Sequence, residues 1–185
     1  MDNGASSYRR YLDGDDDGIT ELVAAYKDGL ILYLNGYVNN IFLAEELTED
    51  TFFRLVVKKP WFSGRCSFKT WLYTIGRNVA IDYLRRHRGD SGLSVEELEN
   101  CLAEETDLEG SWIREEQKRE LHRIIWTLNP DYRQVLYLVY FEGFTNREAA
   151  VILRKSERQV RNLLYRAKQA LKAALEKEGF SYEEL

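Results

Sequence analysis

The sequence predicts an all-α protein: two small helical domains joined by an acidic flexible linker, the C-terminal one a helix-turn-helix. Apolar residues recur at spacings of three and four along most of the chain, which is the period of a helix with one buried face. The 185 residues include only two prolines, and stretches with the alternation typical of strands are few. With 44% hydrophobic residues, the chain has enough apolar side chains to form real cores.

The charge distribution divides the chain into three parts, although the net charge is −5. Residues 65–88 carry six Lys or Arg and one acid, and residues 154–172 carry seven and one. Between them, residues 90–109 hold eight acids and no Lys or Arg. We therefore expect a first domain at residues 1–88, an acidic linker at 89–110 and a second domain at 111–185.

Several classes of protein are not supported by the sequence. The N-terminus is polar and acidic, and no long uncharged apolar run occurs, so we expect a cytoplasmic protein without membrane insertion of its own. Cys66 and Cys101 lack the spacing of a disulfide framework or a zinc site. His87 and His122 have no partner in a catalytic motif, and no Gly-rich phosphate loop occurs. We expect no enzyme activity, no cofactor and no metal.

The first domain is predicted to contain helices near residues 19–35, 44–58 and 68–87. In the third, the packing stripe comprises Phe68, Trp71, Leu72, Ile75 and Val79. That spacing leaves Lys69, Tyr73, Arg77 and Asn78 on other faces. The loop before this helix holds residues that punctuate helices or form turns, at 59–67.

Aromatic and cationic residues are interleaved in this region, namely Trp61, Phe62, Trp71 and Tyr73 with Arg65, Lys69 and Arg77. Aromatic rings stack on unpaired bases and cations follow the phosphates, so the combination favours single-stranded nucleic acid. Core packing of Trp71 and Phe62 is an alternative. The helix at 44–58 has an acidic patch (Glu45, Glu46, Glu49, Asp50) beside Leu47, Phe52, Phe53 and Leu55. The patch is either a docking surface or a favourable match to the helix dipole.

The second domain is predicted to begin with helices at 111–127 and 131–142, separated by Asn129-Pro130. Two capping boxes follow, Thr145-x-x-Glu148 and Ser156-x-x-Gln159. They predict a helix at 146–153, a turn at 154–156 and a longer helix from Glu157. This is a helix-turn-helix, with Ala150 at the helix crossing and Val160 and Leu164 facing inward.

The second helix of such a motif enters the major groove, where its side chains meet base edges and phosphates. Arg158, Gln159 and Asn162 are suited to base edges, because forked or amide groups can form paired hydrogen bonds there. Arg161, Arg166 and Lys168 are suited to phosphates. The alternative is an ordinary solvated basic face.

Three segments resemble the extracytoplasmic-function sigma factors, a subfamily of the bacterial sigma-70-type RNA polymerase sigma factors. Residues 62–86 (FSGRCSFKTWLYTIGRNVAIDYLRR) are similar to the family's second conserved region. Residues 44–55 (AEELTEDTFFRL) resemble its polymerase-clamp-binding helix, and residues 128–171 resemble its C-terminal helix-turn-helix region. These segments lie between positions 44 and 171, a span that includes most of the chain.

The resemblance implies a function in transcription initiation, with core RNA polymerase and promoter DNA as partners and frequent restraint by an anti-sigma factor, which can hold such a protein at the membrane. The first domain would bind the melted minus-ten strand, with residues 63–67 and Asn78 holding a flipped base. The residues assigned to that strand are Arg65, Ser67, Lys69, Tyr73, Arg77 and Asn78. Those assigned to polymerase docking are Glu46, Leu47, Glu49, Asp50, Phe52 and Arg54. The second domain would read the duplex minus-thirty-five element.

Three residues depart from the family pattern. Arg154 stands where such turns often have Gly, Leu163 where a basic residue is frequent, and Glu49 where Gln is frequent. Two rival functions are a conventional helix-turn-helix repressor or activator and a helical adaptor that does not bind DNA, such as an anti-sigma-like protein. A repressor needs no surface for single strands, and an adaptor needs no basic recognition helix.

Overall fold

The computed structural model describes residues 3–87 and 121–178, and every regular element in those two ranges is helical. The N-terminal group comprises α1 (Asn3–Leu12), α2 (Asp17–Val38), α3 (Ile41–Lys58) and α4 (Phe68–Arg86). The C-terminal group comprises the described part of α5 (121–127), α6 (Pro130–Leu136), a π-helical segment (Tyr137–Phe141), α7 (Asn146–Leu153) and α8 (Glu157–Lys177). The predicted all-α fold with two helical domains is confirmed.

Helix α1 was not predicted, because its residues are mostly small or polar and its apolar face is narrow. That face consists of Tyr8 and Tyr11, both buried. The Tyr8 hydroxyl donates to the Pro60 carbonyl at 2.7 Å, and the Tyr11 hydroxyl donates to the Val56 carbonyl at 3.2 Å. Helix α1 therefore fixes the end of α3 and the start of the loop that leads to α4.

The helix ends are set by short polar side chains that satisfy unpaired backbone groups. The Asn40 side chain accepts from the Leu43 N–H at the start of α3, and Ser67 accepts from the Thr70 N–H at the start of α4. Asn129 caps α6, with Pro130 in its first turn. The predicted break at Asn129-Pro130 is thus a helix start.

The predicted helix at 131–142 is interrupted by the π-helical segment. The Glu142 N–H donates to the Tyr137 carbonyl at 3.1 Å, five residues back, and the Tyr137 and Phe141 rings stack with centroids 5.2 Å apart. Gly143 has φ of 70°. This irregular stretch turns the chain towards α4 before α7 begins.

The two groups of helices share one hydrophobic core. Helices α2, α3 and α4 pack together with α1, and α6, α7 and α8 form the second group. Helix α7 packs against α4, and α6 packs against α2. The fully buried side chains include Tyr33, Leu34 and Leu72 in the first group and Leu136 and Ile152 in the second.

The predicted linker at 89–110 lies outside the described residues, as do the first ten residues of the predicted helix at 111–127. Domain boundaries at 88 and 110 stay predictions for this reason. Within residues 3–87 and 121–178, no helix is long and apolar enough to cross a membrane.

Candidate nucleic-acid interface

Helices α7 and α8 form the predicted helix-turn-helix, with both capping boxes in place. Thr145 accepts from the Glu148 N–H while the Glu148 carboxylate accepts from the Thr145 N–H at 2.9 Å. Ser156 and Gln159 make the same reciprocal pair at the start of α8, at 3.2 and 2.7 Å. Ala150 and Val160 are buried at the crossing, as expected, and Leu164 is partly buried.

The turn between the two helices passes through Arg154 in the left-handed conformation, with φ 53° and ψ 42°. An L-residue other than Gly pays a steric cost there. The Lys155 N–H donates to the Ala150 carbonyl at 3.0 Å, which closes the end of α7. The turn predicted at 154–156 is therefore present, and its left-handed residue is Arg154 rather than a glycine.

One face of α8 is exposed and basic. All six side chains predicted to contact duplex DNA are exposed: Arg158, Gln159, Arg161, Asn162, Arg166 and Lys168. Arg161 pairs with Glu157 at 3.0 Å, and the Lys168 ammonium lies 5.2 Å from the centre of the Tyr140 ring. Each of these two cationic side chains has a neighbouring partner, and both are still exposed to solvent.

Sequence reasoning missed Tyr165, whose side chain is 66% exposed on α8. It lies seven residues after Arg158 and three after Asn162, which places it on the same helix face. An exposed aromatic ring within a row of cations is suited to contact with base methyl groups or sugars. The seven-residue spacing from Arg158 could have identified Tyr165 from the sequence.

The loop at 59–67 exposes two of the residues with which an unpaired base would interact. Trp61 is 81% exposed, and Arg65 is exposed beside Gly64. Phe62 and Trp71 instead pack with Phe68 in an aromatic cluster, at ring distances of 5.1 to 5.7 Å. Core packing, the alternative considered for Phe62 and Trp71, describes these two rings better.

The surface of α4 that is predicted to bind a melted DNA strand lies against the C-terminal helices. The Lys69 ammonium lies 2.8 Å from a Glu142 carboxylate oxygen and donates to the Glu142 carbonyl, also at 2.8 Å. The Ser67 hydroxyl lies 3.4 Å from a Glu148 carboxylate oxygen. Ser67 and Lys69 are therefore brought together, with acidic side chains of the second group as their partners.

Tyr73 is fully buried, so the expectation that it lies outside the packing face of α4 and is available to a DNA strand is wrong. Its ring packs between Tyr33 of α2, at 5.3 Å, and Phe144, at 5.0 Å. Burial raises the pKa of Tyr73, and the negative charge of Glu142 raises it further. The helical pattern of α4 alone did not reveal a second group of helices on this face.

Arg77 and Asn78 lie further along α4 and are partly buried. Tyr33 and Tyr37 on α2 share a hydrogen bond of 2.8 Å near Arg77. Burial raises the pKa of Tyr37 to about 12, and the Arg77 charge opposes that rise. Both tyrosines stay neutral at physiological pH.

The acidic helix α3 presents its carboxylates to solvent, since Glu46, Glu49 and Asp50 are exposed and Arg54 is partly so. Leu47 and Phe52 are buried in the core, and the expectation that they are available for docking is wrong. They belong to the core cluster, whereas Phe53, at 62% exposed, and Val57 face outward. The adjacent apolar positions of this helix belong to two different faces.

The chain matches two family models. Residues 22–89 match "Sigma-70 region 2", and residues 118–171 match "Sigma-70, region 4". These correspond to α2 to α4 and to the helix-turn-helix with the helices before it.

Relatives align with most of the chain. The chain is 31% identical over 144 residues to the "ECF RNA polymerase sigma factor SigC" of Mycobacterium tuberculosis, which is 76% of this chain and 74% of that protein. It is 29% identical over 155 residues to SigM of Bacillus subtilis, which is 84% of this chain and 93% of that one. In fold, it is similar to CnrH in complex with the cytosolic domain of CnrY, with a TM-score of 0.64, 19% identity and coverage of 96% and 97%. It is also similar to RpoE bound to the anti-sigma factor NepR from Bartonella quintana, with a TM-score of 0.63, 20% identity and coverage of 85% and 96%.

A region 2 followed by a region 4 with an exposed recognition helix defines a promoter-recognition protein of the sigma-70 type. The chain belongs to the extracytoplasmic-function RNA polymerase sigma factors.

Proposed function

We propose that this protein directs transcription initiation by binding core RNA polymerase and placing two DNA-reading surfaces on a promoter. The observation that carries the proposal is the exposed face of α8 on a doubly capped helix-turn-helix, in a chain that also has region 2. Helix α8 reads the duplex minus-thirty-five element. The loop at 59–67 and α4 bind the melted minus-ten strand.

The roles on α8 follow from side-chain chemistry. Arg158 and Asn162 are one helical turn apart and can form paired hydrogen bonds to base edges, as can Gln159 if it exchanges its cap partner. Arg161, Arg166 and Lys168 contact phosphates, which fixes the register of the helix on DNA. Tyr165 lies between these two sets.

The minus-ten strand is assigned to Arg65, Ser67, Lys69, Arg77 and Asn78, with Trp61 as the exposed stacking residue. Base stacking on an aromatic ring contributes about 1–3 kcal/mol, and the cations follow the backbone. Polymerase docking is assigned to the outward side chains of α3. They combine the acids Glu46, Glu49 and Asp50 with Arg54 and the exposed Phe53.

The domains are proposed at residues 1–88 and 111–185, with residues 89–110 as the acidic linker. An anti-sigma factor is the expected regulator, since the related CnrH and RpoE folds were solved bound to CnrY and the anti-sigma factor NepR. The protein then acts in the cytoplasm, or at the membrane when such a partner holds it there.

Substitutions on α8 test whether base and phosphate contacts are assigned correctly. With core polymerase, Arg158→Ala should relax base preference in the upstream element by about 1–3 kcal/mol. Arg161→Ala should weaken binding to all sequences and lower the salt slope by about one. Lys177→Ala, at the far end of α8, is the charge-matched control.

Binding to specific and random duplexes over a salt series gives both quantities. Equal effects of Arg158→Ala and Arg161→Ala on the two duplexes would contradict the role assignment. Nanomolar, sequence-specific binding by the protein without polymerase would favour the repressor function instead.

A further inference from the structure

An exposed tryptophan lies in the loop that leads to α4, between two anchored residues. The loop at 59–67 contains no helix or strand, so its shape depends on the contacts of individual residues. Trp61 is 81% exposed. The ring of Phe62, which follows it, packs 5.1 Å from the Trp71 ring, and the carbonyl of Pro60, which precedes it, accepts a hydrogen bond from α1. The two anchored neighbours hold the backbone of Trp61 while its ring stays in solvent.

The hydrogen bond to Pro60 acts on the backbone of Trp61 itself. Tyr8 donates its hydroxyl proton to the Pro60 carbonyl at 2.7 Å. That carbonyl oxygen and the Trp61 N–H belong to one planar peptide unit, so a bond that holds the oxygen also orients the Trp61 nitrogen and Cα. The proline ring already restricts φ of Pro60. The Tyr8 bond restrains ψ, the rotation that remains at this residue.

Tyr8 is itself a rigid donor. Its side chain is 1% exposed, and its ring lies 5.4 Å from the rings of both Phe68 and Trp71. Burial raises the pKa of Tyr8 to about 12, and the neighbouring Tyr11 contributes to the rise. The hydroxyl therefore keeps its proton at physiological pH and can donate it to the loop.

Two glycines allow α1 to lie close enough for this contact. A Cβ atom at position 18 of α2 would overlap the Ser7 carbonyl oxygen and lie 2.8 Å from the Tyr11 backbone nitrogen. A Cβ atom at position 4 of α1 would lie 2.7 Å from a ring carbon of Phe68. Helix α1 thus packs tightly against α2 and against the first residue of α4, which fixes the distance from Tyr8 to the loop.

We propose that Tyr8 is a positioning residue for promoter opening, whose hydrogen bond to Pro60 holds Trp61 in the outward conformation that stacks on an unpaired base. The proposal rests on the proposed function in assigning Trp61 to the melted strand. Tyr8 is buried and does not contact the DNA. It raises the fraction of molecules that present the Trp61 ring, and the apparent affinity for the strand falls in proportion when that fraction falls.

Conservative variants separate this role from general stability. Tyr8→Phe removes the hydroxyl and keeps the ring in the aromatic cluster. Trp61→Ala removes the stacking ring. Tyr11→Phe is the matched control, because it removes another hydroxyl of α1, one that donates at 3.2 Å to the Val56 carbonyl within α3 rather than to the loop. The double variant of Tyr8 and Trp61 shows whether the first residue acts through the second.

The experiment measures the affinity of holoenzyme, assembled from core RNA polymerase and the full-length chain, for the fluorescein-labelled minus-ten strand of a promoter found by run-off transcription. We expect Trp61→Ala to weaken binding about fivefold to a hundredfold, as loss of a stacked base does. Tyr8→Phe should weaken it about three- to tenfold, and Tyr11→Phe should leave it unchanged. In the Trp61→Ala background, Tyr8→Phe should have no further effect.

Two measurements show that the variants are otherwise intact. Affinity of the holoenzyme for a duplex that carries only the minus-thirty-five element should be the same for all variants, because the α8 face is unchanged. Chemical denaturation of the chain alone should show that Tyr8→Phe and Tyr11→Phe are both folded and lose comparable stability.

Four outcomes would overturn the positioning role. Wild-type strand affinity in folded Tyr8→Phe would show that the hydrogen bond does not matter for the strand. Equal weakening by Tyr11→Phe would show a general effect of α1. The same loss from Tyr8→Phe with and without Trp61 would show that Tyr8 does not act through that ring, and an unchanged affinity in Trp61→Ala would show that the ring does not stack. Failure of the proposed function is separate, since the wild-type chain would then give no promoter-directed transcript with core polymerase.

Discussion

Arg154 illustrates how a single residue can carry strain inside a recognition motif. Its left-handed backbone, at φ 53°, lies at the turn between α7 and α8. Its side chain is exposed, so no packing is lost when it is shortened. A substitution at position 154 therefore reports the cost of the left-handed backbone conformation rather than a loss of side-chain packing.

Arg154→Gly should stabilise the protein by about 0.5–1 kcal/mol, because relief of the left-handed strain exceeds the extra entropy cost of glycine. Chemical denaturation measures the change in the free energy of unfolding, with the same denaturant m-value used for the wild type and the variant. Gln169→Gly, in the right-handed interior of α8, should destabilise by about 0.5–1 kcal/mol. A loss of stability in Arg154→Gly would show that the turn is not strained.

Lys69 and Tyr73 show the limit of reading residues one at a time. Their types and spacing indicated nucleic-acid chemistry, and that inference used no neighbour beyond α4. The structure places Glu142 and Phe144 on them. Contacts between residues more than seventy positions apart depend on how the two groups of helices pack, which no local pattern encodes.

At the scale of elements, the N-terminus of α7 connects the two groups. Glu148 caps α7, and its other carboxylate oxygen lies 3.4 Å from the Ser67 and Thr70 hydroxyls at the start of α4. Burial raises the pKa of Glu148, but hydrogen bonds from the Thr145 N–H and hydroxyl outweigh it and lower that pKa below the ordinary 4.5.

This capping carboxylate predicts acid sensitivity. Since its folded-state pKa lies below 4.5, the carboxylate contributes stability that is fully present above pH 4.5 and is lost as the pH falls through the folded value. The thermal midpoint of the wild type should fall more steeply below pH 4.5 than that of Glu148→Gln. Glu176→Gln, exposed near the end of α8, should follow the wild type. If the thermal midpoints of Glu148→Gln and the wild type fell in parallel below pH 4.5, the Glu148 carboxylate would not be the source of the acid sensitivity.

Elements with strong local signals were predicted well, and those without them were missed. The capping pairs Thr145 with Glu148 and Ser156 with Gln159 placed the starts of α7 and α8 correctly. Helix α1 and the π-helical segment lack such signals. Helix α1 is stabilised by hydrogen bonds from its tyrosine hydroxyls to the carbonyls of residues 56 and 60. The π-helical segment is closed by the hydrogen bond from the Glu142 N–H to the Tyr137 carbonyl.

At the scale of the whole molecule, the two groups of helices lie against each other, and the two surfaces proposed to contact DNA differ in access. The face of α8 is exposed, whereas Ser67, Lys69 and Tyr73 at the start of α4 lie against residues 142–148. Sequence reasoning proposed both surfaces from their chemistry and treated them as independent. Their different access arises from tertiary packing, which places α7 against α4.

Run-off transcription on genomic fragments tests the central claim, that this chain gives core RNA polymerase its promoter specificity. We expect discrete transcripts with core polymerase and the wild-type chain, none with core polymerase alone, and a marked loss with the α8 variant Arg158→Ala but not with Lys177→Ala. The same transcripts with core polymerase alone, or sequence-specific binding by the chain without any polymerase-dependent transcript, would contradict the account.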